Sequence, residues 1–142
     1  DKEFKEKIKK NLIEKVQNKV HTNLQFKPDD LAGLYCKFDI ECIGLNGAFI
    51  AAKGIPFHKK YEAIDKEVSH YMTLISILKL KFKKESAENH FYIIADEPIN
   101  ADSREHRTWE SLRKNPAIEI RPTDEAALIA VEIEEKKATT FL

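Results

Sequence analysis

Phe4, Ile8, Leu12, Val16 and Val20 recur at every fourth position amid Lys and Glu. On a helix of about 3.6 residues per turn that spacing keeps the apolar side chains together, and it predicts an amphipathic, poorly capped helix over residues 3–20. Thr22 to Phe26 follows as a short strand, and Lys27-Pro28-Asp29-Asp30 is a turn by composition. Residues 34–43 and 48–55 alternate as two strands of a hairpin. From residue 59 to 84, Ile64, Val68, Tyr71, Ile75, Leu78 and Phe82 step by three and four, which predicts a long helix. Ser86 to Asn89 breaks it. Phe91 to Ala95 is apolar on both alternating faces, as in a central strand covered on both sides, and Asp96-Glu97-Pro98 ends it. Ser103 can cap a helix to Lys114 with Trp109 and Leu112 inward, Asn115-Pro116 stops it, and Ile118 to Ile120 is a short strand. Thr123-Asp124-Glu125, with Lys136-Lys137 at the far end, predicts a last helix, while the alternation of Ile129, Val131 and Ile133 leaves a strand as the alternative.

The order is helix, two or three strands, helix, strand, helix, strand, helix. It predicts an α/β (α+β) fold with a central mixed sheet of four to five strands, an Asp39/Lys53 hairpin, and helices on both faces. At 142 residues the chain suits one domain, residues 1–142, with no internal repeat.

The hairpin turn decides which side chains share a face. A two-residue Asn46-Gly47 loop would put Lys53 on the apolar side. With a three-residue Leu45-Asn46-Gly47 loop and Gly47 left-handed, Gly44 pairs with Ala48. Cys36, Phe38, Ile40 and Cys42 then align with Ala48, Ile50, Ala52 and Gly54 on a wholly apolar face, and the other face sets Asp39 opposite Lys53 and Glu41 opposite Ala51. A one-residue slip would reverse every side chain, so the segregation favours the longer loop. Directly opposed residues lie about 5 Å apart at Cβ, so Asp39, Glu41 and Lys53 converge. Two carboxylates at i and i+2 can share a hard cation such as Mg²⁺, and a lysine across from them can hold a water or neutralise charge on a phosphate.

A helix, a hairpin with Asp39 on its first strand and Ile50-Ala51-Ala52-Lys53 on its second, then a helix and a strand, resembles the core of PD-(D/E)xK nucleases over about residues 3–96. Residues 97–142 form a helix-strand-helix extension. The resemblance implies metal-dependent cleavage of DNA or RNA with Mg²⁺ or Mn²⁺, Asp39 and a second acid as ligands, and Lys53 as the base or water-positioning group. Position 51, the expected acidic ligand, is Ala. Three explanations stand side by side: the carboxylate has moved to Glu41, the alanine is a deliberate change that silences a toxic enzyme, or catalysis has been lost. In the last case the scaffold is a non-catalytic protein- or nucleic-acid-binding module, as an immunity-like or assembly domain or as part of a larger parent chain.

Composition tempers the nucleic-acid expectation. Lys+Arg and Asp+Glu are equal at 24 each, so a polyanion must be met by a local patch, and the lysine runs at 5–10, 59–60 and 79–84 are the candidates. Cys36 and Cys42, six positions apart on one predicted strand, would lie roughly 20 Å apart at about 3.3 Å per residue, too far to pair. Two unpaired cysteines and no membrane-length apolar run point to a reducing, cytoplasmic location. The first residue is Asp rather than Met, which reads as a fragment, a processed form or a trimmed chain. Pro28-Asp29 is more simply a turn, Glu3, Glu6 and Glu14 are solvated helix residues, His58 and His70 can border a cleft, and Asp96-Glu97 is a reserve candidate at a strand end. No histidine spacing suggests zinc, and phosphate-binding glycine motifs and nucleophile elbows are absent.

Overall fold

The computed structural model of the chain describes residues 2–85 and 88–142. The predicted break at Ser86 to Asn89 therefore falls in part outside the described residues. The first helix, α1, is α-helical over Lys2–Ile8, widens into a π-helical turn over Lys9–Ile13, and closes as α-helix over Glu14–Val16. A four-residue apolar repeat runs ahead of a 3.6-residue turn by about 40° per step. The wider turn absorbs that excess, and Ile8, Leu12, Ile13 and Val16 all bury.

Five strands form one sheet in chain order: β1 (His21–Phe26), β2 (Phe38–Asn46), β3 (Ala48–Gly54), β4 (His90–Ile94) and β5 (Glu119–Arg121). The β1/β2 and β2/β3 pairs are antiparallel, and β3/β4 and β4/β5 are parallel. Only β2 runs against the rest. Each parallel step needs a crossover, and helices α2 (Tyr61–Lys81) and α3 (Arg104–Arg113) supply them. Both crossovers pack on one face, where Ile64, Tyr71, Leu78 and Trp109 meet Phe38, Ile40, Ala51 and Ile93. Helices α1 and α4 (Ala126–Lys136) cover the other, with Leu12, Ile129 and Ile133 against Cys42, Ile50, Ala52 and Ile94. The result is the expected mixed α+β sheet with helices on both sides.

Local chemistry sets the helix ends. The Ser103 hydroxyl accepts the His106 backbone N–H at 3.1 Å, as its cap position predicts. The last segment is helical: Ala126, Ile129, Ala130 and Ile133 bury at helical spacing while Val131 stays 50% exposed, which a strand could not produce. Its start is held from a distance, because Asp96 at the end of β4 accepts both the backbone N–H and the hydroxyl of Thr123.

The hairpin departs from expectation in two ways. Its register is shifted by two residues: Gly44 pairs with Ile50 rather than Ala48, and Ile43, not Glu41, lies opposite Ala51. Gly47 is left-handed at φ 75° as predicted, but β2 extends further toward it. Contacts from the end of the chain explain the extension, since Leu45 and Thr139 exchange backbone hydrogen bonds and the Asn46 amide donates to the Lys136 carbonyl. A shift of two leaves the alternation unchanged. The second departure does not. Phe38 and Ile40 join the core under α2, whereas Cys42 joins the core under α1 beside Ile50 and Ala52. The alternation breaks at Glu41, across from Asn23, which is itself left-handed at φ 48°. Cys36 precedes β2, and both cysteines are free.

Candidate functional site

The β2/β3 ladder ends at Cys42–Ala52. Beyond it, β2 continues paired to β1 as far as Phe38–Phe26, and β3 continues paired to β4 as far as Gly54–Ile94. The two central strands therefore splay apart, and a gap opens between residues 38–41 and 53–54. Unpaired backbone groups in such a gap must be satisfied by side chains.

Lys53 supplies one such partner. Its ammonium donates to the Asp39 carbonyl oxygen at 2.8 Å, lies 3.2 Å from Glu67 Oε2 and sits 5.0 Å from the centre of the Phe38 ring. Phe38 in turn stacks on Tyr71 of α2 at 5.9 Å, so the floor beneath the lysine is rigid. Lys53 is only 9% exposed, and burial without these partners would be costly. The Asp39 side chain faces solvent, with Oδ1 accepting from the Gln25 amide at 2.9 Å. Glu41 turns inward. Its Oε1 is shut off from solvent and no donor reaches it. Burial pushes the Glu41 carboxyl above its ordinary range; Lys53 and backbone N–H groups oppose the rise, and the charge of Glu67 adds to it.

Gly54 makes room for that carboxylate. A Cβ there would meet Ile8 Cδ1 at 2.7 Å and Glu41 Oε2 at 2.8 Å. Asp39, Glu41 and Lys53 thus line one groove of about 520 Å³ together with Glu67, Lys59 and Lys66. A neighbouring groove of about 420 Å³ adds Lys9 and Ile13 of α1's widened turn. The expected convergence of Asp39, Glu41 and Lys53 is present, although Asp39 meets Lys53 through its backbone carbonyl rather than as a directly opposed pair.

Neither a family model nor any curated protein or solved structure matches this chain. The site is therefore read from its own chemistry. Among the described residues, no three His, Cys, Asp or Glu side chains are grouped to hold a metal ion. The Asp39 and Glu41 carboxylates are the acids on the strands that line the groove, and the buried Glu41 Oε1 beside it, without a donor, is the observation here that bears on a hard cation. Ala51 contributes no ligand. It is wholly buried in the core under α2, and Glu41 lies against Gly54 rather than over Ala51.

Sequence reasoning missed Glu67. It stands three residues after Ile64 and four before Tyr71, on the stripe that buries α2, and an acid at an apolar-stripe position was the available signal. The remaining candidates lie elsewhere. Asp30 accepts the Lys27 N–H as a turn residue, and Glu3, Glu6 and Glu14 are exposed. Asp96 holds Thr123, Glu97 pairs with His106 at 2.8 Å, and His70 faces Cys36 with Sγ to Nδ1 at 3.8 Å. His58 borders a groove beside Asp96 and Glu97. Among the described residues no helix is long and apolar enough to cross a membrane.

Proposed function

We propose that this chain is a metal-dependent nuclease domain of the PD-(D/E)xK kind, cleaving phosphodiester bonds in DNA or RNA at the gap between β2 and β3. The observation that carries the reading is that Asp39, Glu41 and Lys53 line one groove at a splayed strand pair, with Lys53 bonded to the Asp39 backbone carbonyl and one carboxylate oxygen of Glu41 left without a donor. Asp39 and Glu41 are the residues that would hold Mg²⁺ or Mn²⁺. A bound divalent cation polarises a phosphoryl oxygen and lowers the pKa of its water. Lys53, fixed by the Asp39 carbonyl and by Glu67, presents a positive charge to a phosphate in the groove and can position the attacking water. Lys5, Lys9, Lys59 and Lys66 around the two grooves provide the local basic patch that a chain of zero net charge needs, in place of the 79–84 run. The order of elements, with Asp39 and Lys53 on adjacent strands between α1 and α2, supports the same reading.

A second reading, a non-catalytic protein- or nucleic-acid-binding module, is favoured by a specific observation. Lys53 is already matched by Glu67 and the Asp39 carbonyl, and Ala51 stands where an acid is expected. The two readings separate in one assay. Plasmid DNA and RNA are incubated with Mg²⁺ or Mn²⁺ and the natural chain, Asp39→Ala or Lys53→Ala. The nuclease reading expects cleavage by the natural chain and loss of at least a hundredfold in both variants. If the natural chain cuts neither nucleic acid and binds neither ion, the binding-module reading stands instead.

A further inference from the structure

We infer that the nucleic acid taken by this site is single-stranded, and that it lies in one trough formed by three grooves joined end to end, with a base stacked on Phe4. The inference rests on the reading of the gap as a nucleic-acid site and names its substrate class. The two grooves beside the gap share Lys5, Asp39, Glu41 and Lys53. A third, of about 670 Å³, shares Phe4, Pro56 and Lys59 with the larger of them and continues to Asn100 and Ser103 at the start of α3. The trough therefore runs without a break from the widened turn of α1 to the cap of α3. One bank is α1, where Phe4, Lys5, Ile8, Lys9 and Ile13 follow one another over roughly 14 Å at about 1.5 Å per residue. The other is the start of α2, with Lys59, Ala63 and Lys66.

Charge in the trough is lopsided. Its acids are engaged or closed off: the Asp39 carboxylate accepts from Gln25, Glu67 pairs with Lys53, Glu41 Oε1 is shut from solvent, Asp96 holds Thr123 and Glu97 pairs with His106. Glu105, on the far rim, is the exception. Lys9, Lys59, Lys60 and Lys66 are exposed, and among the described residues none of their ammonium groups has a partner. Cations strung along both banks suit a chain of phosphates better than one small anion. Depth then selects the strand form. Lys53 lies on the floor between the two helical banks, only 9% exposed. A duplex is a stiff rod with its phosphates outside, and it meets cations that protrude. A single strand can bend into a trough and turn its bases to the walls. Those walls are apolar where the larger groove meets the third. Phe4 stands there half-buried, its Cε2 3.3 Å from where a Cβ on Gly54 would lie, and Pro56, Pro98 and the fully exposed Ile99 continue the surface.

The test is fluorescence anisotropy in EDTA with a labelled twelve-nucleotide DNA strand, the same sequence as RNA, and the corresponding DNA duplex. The natural chain is compared with Phe4→Leu, with the pair Lys59→Gln and Lys66→Gln, and with Lys15→Gln and Lys83→Gln, two exposed lysines outside the grooves. The expected result is binding of at least one single strand tenfold or more tighter than the duplex. Phe4→Leu should weaken single-strand binding at least fivefold, the groove pair at least tenfold with a shallower salt dependence, and the control pair less than twofold. Thermal unfolding checks that Phe4→Leu remains folded, and the groove pair carries the comparison should it not. Duplex bound as tightly as either single strand, or both groove variants within twofold of the natural chain, would overturn this inference and leave the nuclease reading intact. Single-strand binding by a chain that cuts nothing with Mg²⁺ or Mn²⁺ would uphold the trough and remove the enzyme. No binding of any of the three probes would overturn both.

Discussion

The two ends of one hairpin obey opposite rules. Toward the turn, residues 42–46 and 48–52 pair strand to strand, and the interior side chains there, Cys42, Ile43, Phe49, Ile50, Ala51 and Ala52, are apolar and buried. Toward the open end the ladder is lost, and its place is taken by Lys53, Glu41 and the Asp39 carbonyl. Where backbone groups satisfy one another, side chains are free to be apolar; where they do not, polar side chains must enter the sheet. The closed end is paired and apolar, and the open end gathers the polar groups.

That contrast can be broken from either side. The largest effect is expected from Ala51→Glu, the substitution that would restore the acid the family pattern implies. At the closed end it buries a carboxylate without a partner, and urea unfolding should show a loss of about 3 kcal/mol or more. Full stability would mean that position 51 opens to the gap. Gly54→Ala comes next: its Cβ would collide with Ile8 and Glu41, which predicts a loss of about 1–3 kcal/mol by the same measurement.

Smaller effects separate the two ends by pH. Burial raises the Glu41 carboxyl above its usual 4.5, so the unfolded chain releases that proton first as pH rises. The open end therefore loses stability as pH climbs from about 4.5 toward the folded value. In EDTA at neutral pH, Glu41→Gln should gain stability in urea unfolding and flatten this dependence. The closed end titrates in the other sense. His21 Nε2 accepts the backbone N–H groups of Phe141 and Leu142 at 3.0 and 3.2 Å, and burial lowers its pKa from 6.5. Below pH 6.5 the unfolded chain takes up the proton first, so stability falls on acidification toward the folded value. The protection of the Phe141 and Leu142 amides, taken relative to the intrinsic exchange rate at each pH, should fall over that interval, and His21→Gln should weaken the pH response.

Much of the architecture is legible in the chain. Apolar spacing locates α2 and β4, Ser103 marks the start of α3, and Gly47 marks the turn. The placement of Asp39, Glu41 and Lys53 along one groove was legible too, because they interrupt apolar segments. Three features were not. The two-residue register shift depends on Thr139 and Lys136, far along the chain, and preserves the same alternation. The opening of the ladder depends on the break at Glu41 opposite Asn23, which no local pattern announces. Glu67 was hidden because a helix stripe is read for apolar residues, and its meaning appears only once α2 lies over Lys53.

The most direct measurement is a crystal of the natural chain grown with Mn²⁺ and examined by anomalous scattering. The account predicts one strong peak in the gap between β2 and β3, within coordination distance of Asp39 and Glu41 carboxylate oxygens. A gap without a peak at saturating Mn²⁺, with Lys53 still held by Glu67, would contradict it.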